Sequence, residues 1–168
     1  GQGSQKIGMA KELFDKFELV KNLFKEADEI LNSSISKIIF EGPENQLNLT
    51  ENTQPAIFLT SYSIYKVAQK EFGLDLKKAK FIAGHSLGEY SALCCYEALD
   101  FEETIKILKM RGKSMQEAVP VGKGSMIAVL GSKIEELKKL ISEIKELDIC
   151  EIANDNAEGQ TIISGDKE

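Results

Sequence analysis

Residues 81–90 read Phe81-Ile82-Ala83-Gly84-His85-Ser86-Leu87-Gly88-Glu89-Tyr90. A short apolar run leads into Gly84-His85-Ser86-Leu87-Gly88, a G-x-S-x-G pattern, and a helical pattern follows it. A strand that turns sharply into a helix holds a serine on a strained corner, where flanking glycines relieve crowding. The helix then aims its free N–H groups and positive dipole end at charge developing beside the serine. The pattern alone is common by chance, and its bland reading is a tight turn. The strand before it and the helix after it favour a nucleophile elbow, with Ser86 as the nucleophile.

The rest of the composition bounds what such an elbow can serve. With 168 residues, 42% hydrophobic and 29% charged, the chain suits one domain, or one domain and part of another, with an ordinary core. No apolar run approaches the roughly 20 residues that span a bilayer, and no signal peptide pattern opens the sequence. Cys94, Cys95 and Cys150 are an odd set with two adjacent members, which suits neither a disulfide framework nor a tetrahedral metal site. Buried thiols in a reducing cytoplasm are expected. A net charge of −6 argues against a general nucleic-acid surface. Of the 21 basic residues only Arg111 is arginine. Either that position needs a planar, two-pronged donor, as against a carboxylate, or one arginine survives there by accident.

Residues 1–8 form a Gly- and Gln-rich loop that is not a dinucleotide fingerprint, because G-x-G-x-x-G would need glycine at Lys6. Apolar residues at helical spacing predict one or two helices packed on a sheet over 9–31. Ile35 to Ile39 is helical or extended, and 41–51 reads as a loop around Gly42-Pro43. Asn52-Thr53-Gln54-Pro55 predicts a helix start, with Asn52 or Thr53 at the cap and Pro55 in the first turn. That helix runs to about Phe72, and Gly73 closes it. Residues 81–83 are the strand before the elbow, 87–98 a tightly packed helix, and 101–119 a helix capped by Asp100. Composition changes at Pro120-Val121-Gly122-Lys123-Gly124, which divides a large domain over 1–121 from a small one over 122–168. The small domain reads strand 125–130, helix 132–147 with a Ser132/Glu135 capping box, strand 148–153 and strand 160–164. This βαββ order is most of a ferredoxin-like βαββαβ unit.

A serine hydroxyl needs a base, usually histidine. The one histidine, His85, directly precedes Ser86. Neighbours at a sharp turn point to different sides, so support behind the elbow is its simpler role. An α/β-hydrolase places its histidine after the serine and the acid, and none follows here.

Gly84-His85-Ser86-Leu87-Gly88-Glu89-Tyr90-Ser91-Ala92-Leu93 resembles the active-site segment of malonyl-CoA:acyl carrier protein transacylases of fatty-acid and polyketide synthesis. The resemblance extends over nearly the whole chain. Gly1-Gln2-Gly3-Ser4-Gln5 is similar to the loop after the family's first strand, which implies that Gln2 and the Leu87 N–H form the oxyanion hole. Asn52-Thr53-Gln54-Pro55-Ala56 resembles a second family segment. Arg111-Gly112-Lys113-Ser114-Met115-Gln116 resembles the segment whose arginine pairs with the malonyl carboxylate, with Met115 lining the same pocket. Asn154-Asp155-Asn156 and Gly159-Gln160 resemble the strand and turn of the small subdomain beside the site. His85 and Asn156 complete the substrate-binding set implied. The family's catalytic histidine belongs to a later Gly-x-x-His-type segment, so an internal fragment is expected, lacking the first strand and the C-terminal part.

The fold class expected is α/β: a mainly parallel sheet flanked by helices, with a nucleophile elbow and an inserted, incomplete ferredoxin-like subdomain. The resemblance implies a cytoplasmic, monomeric acyltransferase that moves malonyl from malonyl-CoA to the phosphopantetheine thiol of acyl carrier protein. No metal, cofactor, nucleic acid or membrane is implied. Lys109, Lys113 or Lys123 would suit an acidic carrier, although scattered surface lysines are the simpler reading. A serine hydrolase or thioesterase using the same elbow, and a non-catalytic module that binds carrier protein or acyl-CoA, are the alternatives.

Overall fold

A helix with no wet face has to lie at the centre of its unit, and residues 52–59 are buried without a break. They belong to the first of two compact units, Gly1–Gln116 and Glu117–Glu168, in a computed structural model that describes residues 1–119, 122–144 and 149–167. The first unit runs α1 (Lys11–Lys16), α2 (Glu18–Leu31), α3 (Ile35–Glu41), α4 (Glu44–Leu47), α5 (Thr50–Phe72), α6 (Leu87–Cys95) and most of α7 (Phe101–Ala118). The second holds β1 (Gly124–Leu130), α8 (Ile134–Ile144), β2 (Cys150–Ala157) and β3 (Gln160–Asp166).

Around α5 pack α2, α3, α4 and α6. Phe58 of α5 stacks on Phe101 with ring centroids 5.6 Å apart, and Phe14, Phe24 and Phe40 form a second aromatic cluster. Such pairs add about 0.5–1.5 kcal/mol beyond the area they bury. Gly73 ends α5 in the left-handed region, φ 67°, where a residue without Cβ meets no penalty. Asp100 caps α7 as predicted, its Oδ1 accepting the Glu103 N–H at 2.7 Å.

Several expectations are corrected. The strand at 81–83 carries no ladder among the described residues, and Phe81 is 90% exposed. A strand exists only through hydrogen bonds to neighbours, and the described residues of this unit supply none. The helices of 9–31 pack on helices rather than on a sheet. The expected loop at 41–51 contains α4 and the first residues of α5. Helix α5 starts at Thr50, so Asn52 and Thr53 lie inside it. Their side chains bond backwards to carbonyls of α4, Asn52 Nδ2 to Gln46 O at 2.9 Å and Thr53 Oγ1 to Leu47 O at 2.6 Å. They tie two helices together instead of capping one. Pro55 therefore falls past the first turn.

In the second unit β3 lies between β1 and β2 and is antiparallel to both, with Ile163 opposite Ile127 on one side and Ile152 on the other. The two outer strands therefore run parallel and are joined by α8, which is the split βαβ arrangement expected from the strand order. Among the described residues this is the only sheet, and it has no parallel ladder. Of the apolar residues of α8, Leu137 and Ile141 are buried, whereas Leu140 is 57% exposed. Helix α8 begins at Ile134, so Lys133 rather than Ser132 stands at its cap. Residues 145–148, which carry the predicted end of this helix and the start of the next strand, lie outside the described residues, as do Pro120 and Val121.

All three cysteines are free. Burial pushes the Cys94 thiol up, and burial together with the neighbouring Cys94 pushes Cys95 up to about 12. At pH 8 a thiol with that pKa is thiolate to only about one part in 10⁴. Iodoacetamide at pH 8 is expected to label Cys95 at least about 100-fold more slowly than a free thiol, read by mass spectrometry of the native protein.

Candidate active site

Ser86 stands immediately before α6 with φ 53° and ψ −120°. A positive φ at a residue with a Cβ stores on the order of 1–3 kcal/mol and persists only where its surroundings impose it. Here the imposing contact comes from Gly84. A Cβ built on it would lie 2.0 Å from the Gly88 carbonyl oxygen, so only glycine lets the chain fold back on itself at this point. Gly88 is different: its missing side chain would meet no described atom within 4 Å. Crowding thus explains the first glycine of G-x-S-x-G and not the second.

At the start of α6 the Gly88 N–H donates to the His85 carbonyl at 2.9 Å, and the Glu89 N–H to the Ser86 carbonyl at 3.1 Å. The Leu87 N–H is at the first helical position, where a helix offers no internal acceptor. It is the backbone donor beside the serine hydroxyl that can face a developing oxyanion.

Arg111, half-buried on α7, is carried to this corner. Its Nη2 donates to Ser86 Oγ at 3.2 Å and its Nη1 to Gln54 Oε1 at 2.5 Å. The guanidinium also lies over the Tyr90 ring, 5.8 Å from the centroid. Gln54 Nε2 donates to Gln2 Oε1 at 3.0 Å and approaches Met115 Sδ at 3.9 Å, and Gln2 Nε2 donates to Thr50 Oγ1 at 3.3 Å. Guanidinium only donates, so Gln54 must turn its oxygen to Arg111 and its nitrogen to Gln2, and Gln2 its nitrogen to Thr50. The orientation of two side-chain amides follows from one arginine.

The approach of α7 to the start of α5 depends on Gly112. A Cβ there would sit 2.5 Å from Thr50 O and 2.6 Å from the Glu51 Cα. Alanine would gain about 1 kcal/mol of helix propensity, but the obstacle is backbone, which cannot swing aside. Gly112→Ala is expected to lower stability by about 1–3 kcal/mol net, measured by urea unfolding of the full-length protein. Lys109, one turn earlier, clamps the same helix start through Asn52 Oδ1 at 2.9 Å and Glu51 Oε2 at 3.2 Å.

The structure brings together Ser86, Leu87, Arg111, Met115 and Gln2 from the sequence-based set. His85 is exposed and directly precedes Ser86. Asn156 lies within β2 of the second unit rather than in a turn, the turn being at Gly159 with φ 73°. Gln54 and Tyr90 join the residues around Arg111, and no motif in the sequence marks either as a site residue. The available signal was the polar trio Asn52-Thr53-Gln54 inside an otherwise apolar helix, which reads more simply as a cap.

A serine at positive φ heads a helix here, behind a glycine that admits no side chain, which is backbone geometry that a nucleophile elbow would need. The acyl transferase domain family matches residues 1–168, and the chain belongs to that family. It is 46% identical over 166 residues to the malonyl CoA-acyl carrier protein transacylase of Bacillus subtilis (strain 168), covering 98% of this chain and 51% of that protein. To the protein of the same name from Escherichia coli (strain K12) it is 40% identical, covering 100% of this chain and 53% of the other. Among solved structures, an acyl-carrier-protein-S-malonyltransferase from Bartonella henselae superposes with a TM-score of 0.91 at 46% identity, over 99% of this chain and 53% of that one. A malonyl-transacylase solved in complex with a type II PKS acyl-carrier protein gives 0.90 at 40% identity, over 99% and 53%. The chain spans about half the length of the curated relatives it matches.

Proposed function

We propose that the whole protein moves a malonyl group from malonyl-CoA to the phosphopantetheine thiol of acyl carrier protein, in fatty-acid synthesis. The single observation that carries this reading is the Arg111 guanidinium at the Ser86 hydroxyl, with Nη2 3.2 Å from Oγ. A cation that cannot act as a base has one evident use beside a nucleophile, which is to hold an anionic part of the acyl group. The names of the relatives point the same way.

Ser86 Oγ attacks the thioester carbonyl, the C–S bond breaks, and coenzyme A leaves as the thiol with the serine proton. The carrier thiol then attacks the malonyl-serine ester, its proton returns to Ser86 Oγ, and the malonyl thioester departs. The Leu87 N–H and Gln2 stabilise the oxyanion in both steps, Arg111 holds the malonyl carboxylate, and Met115 lines the pocket. By the family resemblance His85 belongs to the substrate-binding set. By the family resemblance the base is a histidine of a Gly-x-x-His-type segment. Both steps exchange one ester or thioester for another, so the chemistry calls for no metal or cofactor. In the same reading 1–121 belong to a large α/β domain with a mainly parallel sheet, and 122–168 are the ferredoxin-like subdomain. A cytoplasmic monomer is proposed; among the described residues no helix is long and apolar enough to cross a membrane.

The test is intact-mass spectrometry of the full-length protein before and after malonyl-CoA, followed by addition of the holo carrier protein. One malonyl group on the peptide containing Ser86, discharged onto the carrier, is expected. No adduct would overturn the proposal, and release of free malonate in place of transfer would make the protein a hydrolase.

A further inference from the structure

Resting on the function just proposed, we infer that Gln54 is a positioning residue for acyl selectivity: a neutral anchor that aims Arg111 without consuming its charge. Gln54 is completely buried within α5. An amide there is expensive unless its groups are bonded. Its oxygen takes the Arg111 Nη1 proton at 2.5 Å and its nitrogen reaches Gln2 Oε1 at 3.0 Å, 52 residues away in sequence.

Arginines are usually fixed by carboxylates, which neutralise them. A carboxylate at position 54 would grip the fork harder, but it would also compete with the incoming substrate carboxylate for the same positive charge. The amide supplies an acceptor with no net charge. It holds one arm of the guanidinium, and the remaining N–H groups stay available on the side of Ser86, where Nη2 lies 3.2 Å from Oγ. Pairing Gln54 Nε2 with Gln2 adds a second consequence. The residue proposed for the oxyanion site and the one proposed for the carboxylate site are braced by the same amide, so their spacing is set by one side chain.

The experiment compares malonyl-CoA and acetyl-CoA as acyl donors for the full-length protein, wild type and Gln54→Glu. The substitution is nearly isosteric and can still accept from Arg111. Expected is a rise in KM for malonyl-CoA of about 10–100-fold, the equivalent of one charge-assisted hydrogen bond. Acetyl-CoA acylation of Ser86 should fall by less, through loss of the Gln54–Gln2 hydrogen bond alone, so that the malonyl-to-acetyl ratio drops at least about tenfold. Gln54→Met, of the same length and uncharged, removes the anchor without adding a competitor, and should also lower the malonyl-to-acetyl ratio; it keeps the test open if the glutamate variant does not fold. A purely structural Gln54 would move the thermal midpoint and leave the ratio within about twofold in both variants, which overturns the inference. If wild type itself forms no malonyl-serine, the proposed function fails first, and that outcome is read before any variant.

Discussion

Ser86→Ala in the full-length protein is expected to abolish the covalent acyl-enzyme and to lower transfer by a factor on the order of 10⁶, the scale seen when a serine nucleophile is removed from a comparable machinery. The fold should not suffer. Alanine meets the same backbone requirement at φ 53° as serine, and the corner is imposed by Gly84 folding against Gly88 rather than by the hydroxyl. What disappears is the reacting atom and the acceptor of the Arg111 Nη2 proton. Intact mass after malonyl-CoA reads the first loss, and a carrier-acylation assay reads the second. A surviving malonyl adduct on the alanine variant would mean that another group, not Ser86, is acylated. As a companion measurement, Ser86→Gly should recover part of the backbone strain and raise stability by about 1 kcal/mol while being equally inactive.

Arg111→Ala should weaken malonyl transfer by about 10–100-fold or more, the worth of a charge-assisted pair, and spare acetyl transfer by comparison. The arginine contributes nothing to the thioester itself. Its two recorded arms go to Ser86 and Gln54, so the carboxylate of an acyl group attached to Ser86 would be born within reach of the guanidinium. Truncation also strands the Gln54 oxygen in the interior, which adds a stability loss of about 1–3 kcal/mol. Arg111→Lys separates the two effects, because lysine keeps the charge and loses the planar fork. Competition between malonyl-CoA and acetyl-CoA is the measurement. Equal loss for both acyl groups would leave Arg111 a structural residue.

Much of this was legible from local pattern. The tight turn at Gly84–Ser86 into α6, the closure of α5 by Gly73 and the Asp100 cap each depend on residues close in sequence, and their chemistry is written in those residues. The split βαβ unit could be read because strand and helix alternate with strong periodicity there. Contacts between separate elements were not legible, whether the partners lie six residues apart or more than fifty. Asn52 and Thr53 have the composition of a cap, and only the neighbouring α4 shows that they serve as cross-links. Gln54 looks like a polar residue at a helix start until Arg111, 57 positions later, is seen to meet it. A strand at 81–83 requires neighbours that no local pattern can supply.

The one-way row of donors from Arg111 through Gln54 and Gln2 to Thr50 has a thermodynamic consequence. The buried Gln54 amide has one orientation set by Arg111, so its rotational freedom is already lost before a ligand arrives. A carboxylate entering beside Ser86 would meet groups already ordered, and its affinity would come from charge and hydrogen bonds with small loss to freezing of side chains. Selectivity in such a site should therefore appear mainly as enthalpy.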